Sequence, residues 1–333
     1  MKITVFSARA YDQESFEPVN RDHGHEISYR EALLTPESTD LATGSEGVCV
    51  SVNDQVDGAV IEALKFGGCG VLVTRSMGVN HIDLAAAERA GIPVARVPNY
   101  SPNSVSEFTV GLILSLTRKM HRAYLRSREF DFDLRGLTGT QLSDKTIGLI
   151  GAGQIGSLVL KALSGFGCRL LYHDLNERAE LKAIAEYVDA RTLANASDII
   201  VLNLPLTPET HHLVNDETIP RLKQGALIIN TGRGGLIDAK ALVAGIKSGQ
   251  IGGAALDVYE DEAGLFYNDR SVDVLQDDAF CRLLSFPNVI VTSHMAYLTD
   301  HALRDIAQET LQSFTEYQQG KPLTNRVAAS PQS

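Results

Sequence analysis

Three side chains of complementary chemistry stand just past the ends of apolar runs. Arg233 follows the run Gly225-Ala226-Leu227-Ile228-Ile229-Asn230-Thr231, Glu262 follows the run from Gly252 to Tyr259, and His294 lies two residues beyond the run Asn288 to Thr292. A guanidinium offers a fixed fork for a carboxylate, an imidazole moves a proton near neutral pH, and a carboxylate beside it favours the imidazolium. Each has an ordinary explanation when taken singly. Arg233 could cap a helix or pair with a surface acid, Glu262 belongs to the acidic run Glu260-Asp261-Glu262, and His294 could be a core histidine bonded to backbone. Their shared position argues otherwise, because ligands of open α/β sheets bind beyond the carboxyl ends of the strands.

A second constellation says what would bind beside them. The apolar strand Thr146-Ile147-Gly148-Leu149-Ile150 runs straight into Gly151-Ala152-Gly153-Gln154-Ile155-Gly156, a G-x-G-x-x-G turn, and then into a helix expected over Ser157 to Phe166. Gly151 permits the tight turn, Gly153 lets backbone N–H groups approach a pyrophosphate, and Gly156 lets the helix pack on the strand. The helix N-terminus then faces the anion. A second strand, Cys168 to Tyr172, leads to Asp174, eighteen residues after Gly156, where an acid binds the adenosine ribose. A carboxylate there repels a 2′-phosphate, so the cofactor predicted is NAD rather than NADP.

The elements that must position these groups alternate along the chain. Short apolar strands are predicted at Ile3 to Phe6, Glu26 to Tyr29, Gly47 to Val52, Gly70 to Val73 and Val94 to Val97, with no glycine-rich phosphate turn among them. A long helix is predicted from Ser101-Pro102-Asn103 to Arg128, with Ser101 as cap and Pro102 in the first turn. Six strands follow from Thr146 to Thr292, including the continuous apolar run Asp198 to Pro205, which makes a doubly wound parallel sheet. After Asp174 comes a polar segment of helical character. A last helix runs from Asp300 to about Glu316 and is expected to pack on the first block, and residues 325–333 read as a disordered tail.

Composition excludes more than it identifies. The formal net charge of −11 over 333 residues argues against nucleic acid or an anionic membrane as partner. Cys49, Cys69, Cys168 and Cys281 have no C-x-x-C spacing and read as reduced thiols of a cytoplasmic protein. No metal is predicted, and no apolar run reaches the length of a membrane span.

Taken in order, Gly151 to Gly156 with Asp174, Thr231-Gly232-Arg233-Gly234-Gly235, Asp257-Val258-Tyr259-Glu260-Asp261-Glu262 and Ser293-His294 resemble the signatures of the D-isomer-specific 2-hydroxyacid dehydrogenases, over nearly the whole chain. The resemblance implies two Rossmann-like or flavodoxin-like α/β domains with parallel sheets. The doubly wound cofactor domain, residues 101–299, is inserted into a discontinuous catalytic domain of residues 1–100 and 300–333. It implies Arg233, Glu262 and His294 as the catalytic set. Cofactor contacts are implied at Gly151, Gly153, Gln154, Ile155, Gly156 and Asp174. Further ones fall at Leu204, Pro205, Thr210, Thr231, Gly232, Arg233, Asp257 and His294, although Asp257 reads almost as well as a structural turn acid.

Four segments resemble the D-lactate branch of the family: Thr74 to Asp83, Val97 to Pro102, Glu262 to Asp269, and His294-Met295-Ala296-Tyr297. They imply that backbone N–H groups of Met77, Gly78 and Val79 hold a substrate carboxylate. Tyr100 and Tyr297 wall the pocket, with Arg233 and His294 completing the substrate contacts. The reaction implied is reduction of pyruvate, or a related small 2-keto acid, to the D-2-hydroxy acid by a homodimer that meets through the cofactor domains and the Asn103–Arg128 helix. One departure widens the substrate range: Val50-Ser51-Val52-Asn53 carries small or polar residues where this branch often has an aromatic. A non-catalytic NAD-sensing corepressor on the same scaffold is the rival reading.

Overall fold

The computed structural model describes residues 1–98 and 100–328. The chain divides into two compact units, one made of Met1–Ser101 with the segment from Leu298 onward, the other of Pro102–Tyr297.

The first unit begins with β1 (Lys2–Val5), α1 (Ala10–His23), β2 (Glu26–Tyr29), β3 (Gly47–Val50), α2 (Gly58–Phe66), β4 (Val71–Thr74), α3 (Leu84–Ala90) and β5 (Val94–Arg96). These strands lie parallel in the order β2-β1-β3-β4-β5. β3 and β4 are buried along their whole length, which is why they read as unbroken apolar runs. α2 and α3 start at side-chain caps: Asp57 accepts from Val60 N and Asp83 from Ala86 N, both at 2.9 Å.

The second unit runs through α4 (Pro102–Thr117), α5 (Met120–Arg128), β6 (Thr146–Ile150), α6 (Gln154–Ser164), β7 (Arg169–His173), β8 (Glu186–Tyr187), α7 (Ala190–Ala196), β9 (Ile199–Leu202), β10 (Ala226–Asn230), α8 (Ala239–Ser248), β11 (Ile251–Leu256), α9 (Asp278–Ser285) and β12 (Val289–Val291). Its sheet is parallel in the order β12-β11-β10-β9-β6-β7-β8. Strand order reverses between β6 and β9, so the crevice beyond their carboxyl ends is the topological switch point where doubly wound sheets bind ligands. Val159, Leu160 and Leu163 of α6 are fully buried in one core with Ile147 and Leu149 of β6. Each such side chain contributes about 1.5–3 kcal/mol of hydrophobic stabilisation.

The chain then returns to the first unit with α10 (Asp300–Gln318), capped by Thr299, and β13 (Arg326–Val327). α10 packs on α1. At that contact His23 Nδ1 and His25 Nε2 both meet Thr315 Oγ1, at 2.7 and 3.0 Å.

Four expectations are corrected. The single helix from Ser101 to Arg128 is two helices: the Thr117 carbonyl is taken by Thr140 N at 3.0 Å, and Lys119 turns left-handed at φ 54°. Pro102 opens the first of the two. The glycine-turn helix starts at Gln154, three residues before Ser157, with Gly153 itself at its cap and its end at Ser164. The polar stretch after Asp174 is helical only at the 3-10 turn Ala179–Leu181 and at α7 (Ala190–Ala196), with β8, a seventh strand, between them. The supposed tail is ordered at its start: Arg326 and Val327 pair antiparallel with Ala95 and Val94, and buried Glu316 holds the approach by accepting from Thr324 N at 2.8 Å. The remainder of that tail, residues 329–333, lies outside the described residues.

Candidate active site

The glycine turn after β6 shows three separate demands. Gly151 has φ +93°, and a Cβ there would come within 2.5 Å of the Asn203 carbonyl oxygen. A Cβ on Gly156 would collide with the Gly151 carbonyl oxygen, so α6 sits tight on the turn. A Cβ on Gly153 would meet no protein atom within 4 Å. That position, at the cap of α6 and without a side-chain cap, opens a cradle whose filling would matter only to something bound against it. Gln154 and Ile155 are the first helical residues behind it.

At the end of β7, Asp174 accepts from Leu175 N at 2.7 Å and lies 3.6 Å from Arg178. Beyond β9, Thr210 Oγ1 donates to Pro205 O at 2.8 Å and accepts from Thr207 N at 2.7 Å, which closes the loop that starts at Leu204. Thr231 Oγ1 meets Thr109 Oγ1 at 2.8 Å and accepts from Asn203 Nδ2 at 3.1 Å. Asn203 Oδ1 is buried with no partner among the described residues.

β10, β11 and β12 are sheet neighbours, and Arg233, Glu262 and His294 follow them in that order. Glu262 Oε1 and His294 Nδ1 are 2.7 Å apart, and both side chains are about one-quarter exposed. The second Glu262 oxygen accepts from Tyr259 N at 3.0 Å, which fixes the carboxylate. With Nδ1 turned to the glutamate, Nε2 is the nitrogen left to serve a substrate. Arg233 is exposed, and the one hydrogen bond of its side chain among the described residues is from Nη1 to the carbonyl of neighbouring Gly232, at 2.8 Å. Its guanidinium is therefore largely unspent.

Asp257 is 1% exposed and organises the histidine loop. Its Oδ1 accepts from Thr292 Oγ1 at 2.6 Å and Met295 N at 2.9 Å, its Oδ2 from Ala296 N at 2.9 Å, and its carbonyl from His294 N at 2.7 Å. These bonds show the turn-acid role directly.

Two groups escaped sequence reasoning. Asn230 is fully buried and clamps the Arg233 turn, accepting from Gly232 N at 3.0 Å and donating to Arg233 O at 2.9 Å. A lone amide ending an apolar strand was the available signal. Tyr267 OH donates to His294 O at 2.9 Å, and nothing local announces so distant a bond.

In the first unit, the loop after β4 spends its carbonyls on the protein. Met77 O accepts from Arg96 at 3.2 Å, Gly78 O from Ser76 Oγ at 2.8 Å, and Val79 O from Ile82 N at 3.0 Å. The N–H groups of Met77, Gly78 and Val79 have no acceptor among the described residues, so this loop offers donors to an anion. Thr74 Oγ1 supports it, 2.7 Å from Ser76 Oγ and 3.2 Å from His81 Nε2. Burial pushes His81 down to about 4, so it stays neutral. Arg75, in the same segment, is structural: it is buried, pairs with Asp12 at 3.2 Å and donates to the carbonyls of Phe6 and Ser7. Asp54 pins the loop after β3 by accepting from Ser51 N, Leu34 N and Ser7 Oγ; burial nevertheless raises its carboxyl. Tyr100 and Tyr297 are half-buried, each with a polar interaction of its own.

These features agree with what the chain resembles. The family model described as "D-isomer specific 2-hydroxyacid dehydrogenase, NAD binding domain" matches residues 110–296. A 2-hydroxyacid dehydrogenase homolog of Schizosaccharomyces pombe is 48% identical over 319 residues, 95% of this chain and 96% of its own. The D-lactate dehydrogenase of Escherichia coli is 43% identical over 328 residues, 98% of this chain and 100% of its own. A solved structure titled as the pyruvate reductase of Chlamydomonas reinhardtii superposes with a TM-score of 0.93 at 36% identity, covering 98% of each chain. The chain belongs to the D-isomer-specific 2-hydroxyacid dehydrogenases and is an NAD-dependent enzyme of that family rather than a non-catalytic sensor. No described helix is long and apolar enough to cross a membrane.

Proposed function

We propose that the enzyme reduces pyruvate to D-lactate, with Arg233, His294 and Glu262 as its catalytic residues. The observation that carries the mechanism is the 2.7 Å contact between His294 Nδ1 and Glu262 Oε1, on the sheet edge that also carries Arg233, whose guanidinium has donors to spare. NAD fits the open cradle at Gly153, with Gly151, Gln154, Ile155 and Gly156 around its pyrophosphate and Asp174 on its ribose. Leu204, Pro205, Thr210, Thr231 and Gly232 would hold it further along the sheet edge, and Asp257, whose Oδ2 accepts one bond from its loop, would stand on the nicotinamide side. Bound as NADH, the cofactor supplies the hydride.

The protein's own groups do the rest. Arg233 binds the carboxylate and polarises the ketone, which pre-organises charge stabilisation where negative charge develops. His294, protonated, gives its Nε2 proton to the carbonyl oxygen. Glu262 stabilises the imidazolium at Nδ1 while that proton is held. Met77, Gly78 and Val79 present their amides to the substrate carboxylate, and Tyr100 and Tyr297 wall the space beside it.

A homodimer is part of this proposal. Tyr124, Phe130, Phe132 and Leu134 are all more than 60% exposed on α5 and the loop after it, a concentration of apolar surface that a second copy would cover. The reducing cytoplasm suits its four free thiols.

A bulkier 2-keto acid is the second reading, supported by Ser51 and the exposed Val52, where a branch aromatic would fill the pocket. The test is NADH oxidation, followed by absorbance, over pyruvate, 2-ketobutyrate, phenylpyruvate, glyoxylate and 3-phosphohydroxypyruvate. Highest kcat/KM with pyruvate supports the proposal. A strong preference for glyoxylate or 3-phosphohydroxypyruvate overturns it, and a preference for phenylpyruvate selects the second reading.

A further inference from the structure

Asp174 is not alone at the end of β7. Arg178 Nη2 lies 3.6 Å from Asp174 Oδ2, a charge contact longer than a hydrogen bond. The Arg178 side chain is 41% exposed, while its Nε is buried with no hydrogen-bond partner among the described residues. Its guanidinium therefore sits beside the carboxylate without being spent on it.

The turn that carries both charges is built in advance. Tyr172 is almost fully buried, and its hydroxyl accepts from Arg178 N at 2.9 Å and donates to Arg178 O at 3.3 Å. Tyr187 OH donates to Asp174 O at 3.1 Å, and His173 Nδ1 meets Val188 O at 3.0 Å. The backbone at both positions is fixed by groups that a change of either charged side chain leaves alone.

The two charges have opposite preferences. A carboxylate accepts a hydrogen bond from a ribose 2′-hydroxyl and repels a 2′-phosphate, whereas a guanidinium fork binds phosphate. We infer that Arg178 is a second specificity residue: a 2′-phosphate site that Asp174 holds shut, so that preference for NAD over NADP rests on a single carboxylate. The inference rests on Asp174 being the ribose acid, as proposed above. Removing Asp174 then does more than end a repulsion, because it releases a cation already placed at the right spot.

The test is equilibrium binding of 5′-AMP and 2′,5′-ADP to the full chain by titration calorimetry, since these ligands differ only in the 2′-phosphate. The proteins are the parent, Asp174→Ala, Asp174→Ala with Arg178→Ala, and Asp174→Ala with Arg178→Lys; their thermal midpoints confirm that each is folded. The parent should favour 5′-AMP. Asp174→Ala should bind 2′,5′-ADP on the order of ten- to a hundred-fold more tightly than the parent, as a charge-assisted bond allows. Adding Arg178→Ala should remove most of that gain, and Arg178→Lys should restore part of it, because charge returns without the fork. A gain that survives Arg178→Ala overturns the inference and leaves the ribose acid standing. If Asp174→Ala alters the binding of neither ligand, the ribose-acid reading falls and the inference falls with it.

Discussion

Replacing Asp257 by asparagine separates two roles that one carboxylate could have. The side chain keeps its shape, but one oxygen becomes an NH2 group. With the retained oxygen still facing Thr292 Oγ1 and Met295 N, the new NH2 points at Ala296 N–H, donor against donor, where the parent has a 2.9 Å bond. Flipping the amide makes matters worse, since two donors are then opposed. One charge-assisted bond is lost, worth about 1.5–3 kcal/mol, and the remaining two become neutral and weaker. Because the site is 1% exposed, little water is available to compensate. A cost of about 3 kcal/mol, for a unit of this size, corresponds to a fall in Tm of roughly 6–12 °C.

The same loop carries His294, so part of that cost should appear in catalysis. If the loop's ordered state loses its full advantage, kcat falls by about 10²-fold, since 1.36 kcal/mol is one power of ten. The assays are a thermal melt and steady-state kinetics with pyruvate and NADH varied in turn. An Asp257→Asn protein that melts within a degree of the parent, keeps its kcat and shows only a raised KM for NADH would refute the reasoning: the carboxylate would then serve the cofactor and not the loop.

The other expectations follow from the same geometry. His294→Gln removes the proton donor and should lower kcat by the order of 10²-fold or more, while Arg233→Gln should raise KM for pyruvate together with its loss in kcat; near-normal turnover by either removes that residue from the mechanism. Ser51→Phe should raise the pyruvate to phenylpyruvate ratio of kcat/KM by filling the pocket, and an unchanged ratio would mean that the loop after β3 does not meet the substrate side chain. Acid should destabilise the first unit: His81, His23 and His25 are all held below their ordinary value by burial, so the unfolded chain takes up protons that the folded one refuses. That stability is complete above about pH 6.5 and fades towards pH 4, with His81 alone accounting for up to roughly 3 kcal/mol; urea midpoints that stay level from pH 7.5 to 4.5 would contradict it.

What could be read from the sequence was what its local chemistry determines. The glycine turn is legible because its spacing between an apolar strand and a helix is itself a local pattern, although only Gly156 answers a contact within a few residues, Gly151 facing the distant Asn203 carbonyl and Gly153 no protein atom; buried parallel strands are legible because both faces must be apolar. The residues past their ends then mark the carboxyl edge of the sheet. The break after Thr117 was not legible, because the group that takes its carbonyl is Thr140, well beyond any helical period. β13 was missed for a similar reason: two residues have no periodicity, and only the partner strand β5 makes Arg326 and Val327 a strand. For Glu262 and His294 the sequence supplied complementary chemistry, but their contact depends on β11 and β12 lying side by side.

The histidine itself shows how that contact is held. His294 has φ 54° and Tyr267 φ 63°, both in the left-handed region that costs a non-glycine residue on the order of 1–3 kcal/mol. Such a conformation persists only where neighbours over-determine it. His294 N is held by Asp257 O, His294 O by Tyr267 OH, and the imidazole by Glu262. Three hydrogen bonds of about 1 kcal/mol or more each are enough to offset that strain. The direction in which Nε2 points is thus set by the buried aspartate and the tyrosine, neither of which needs to touch a substrate to matter to its reduction.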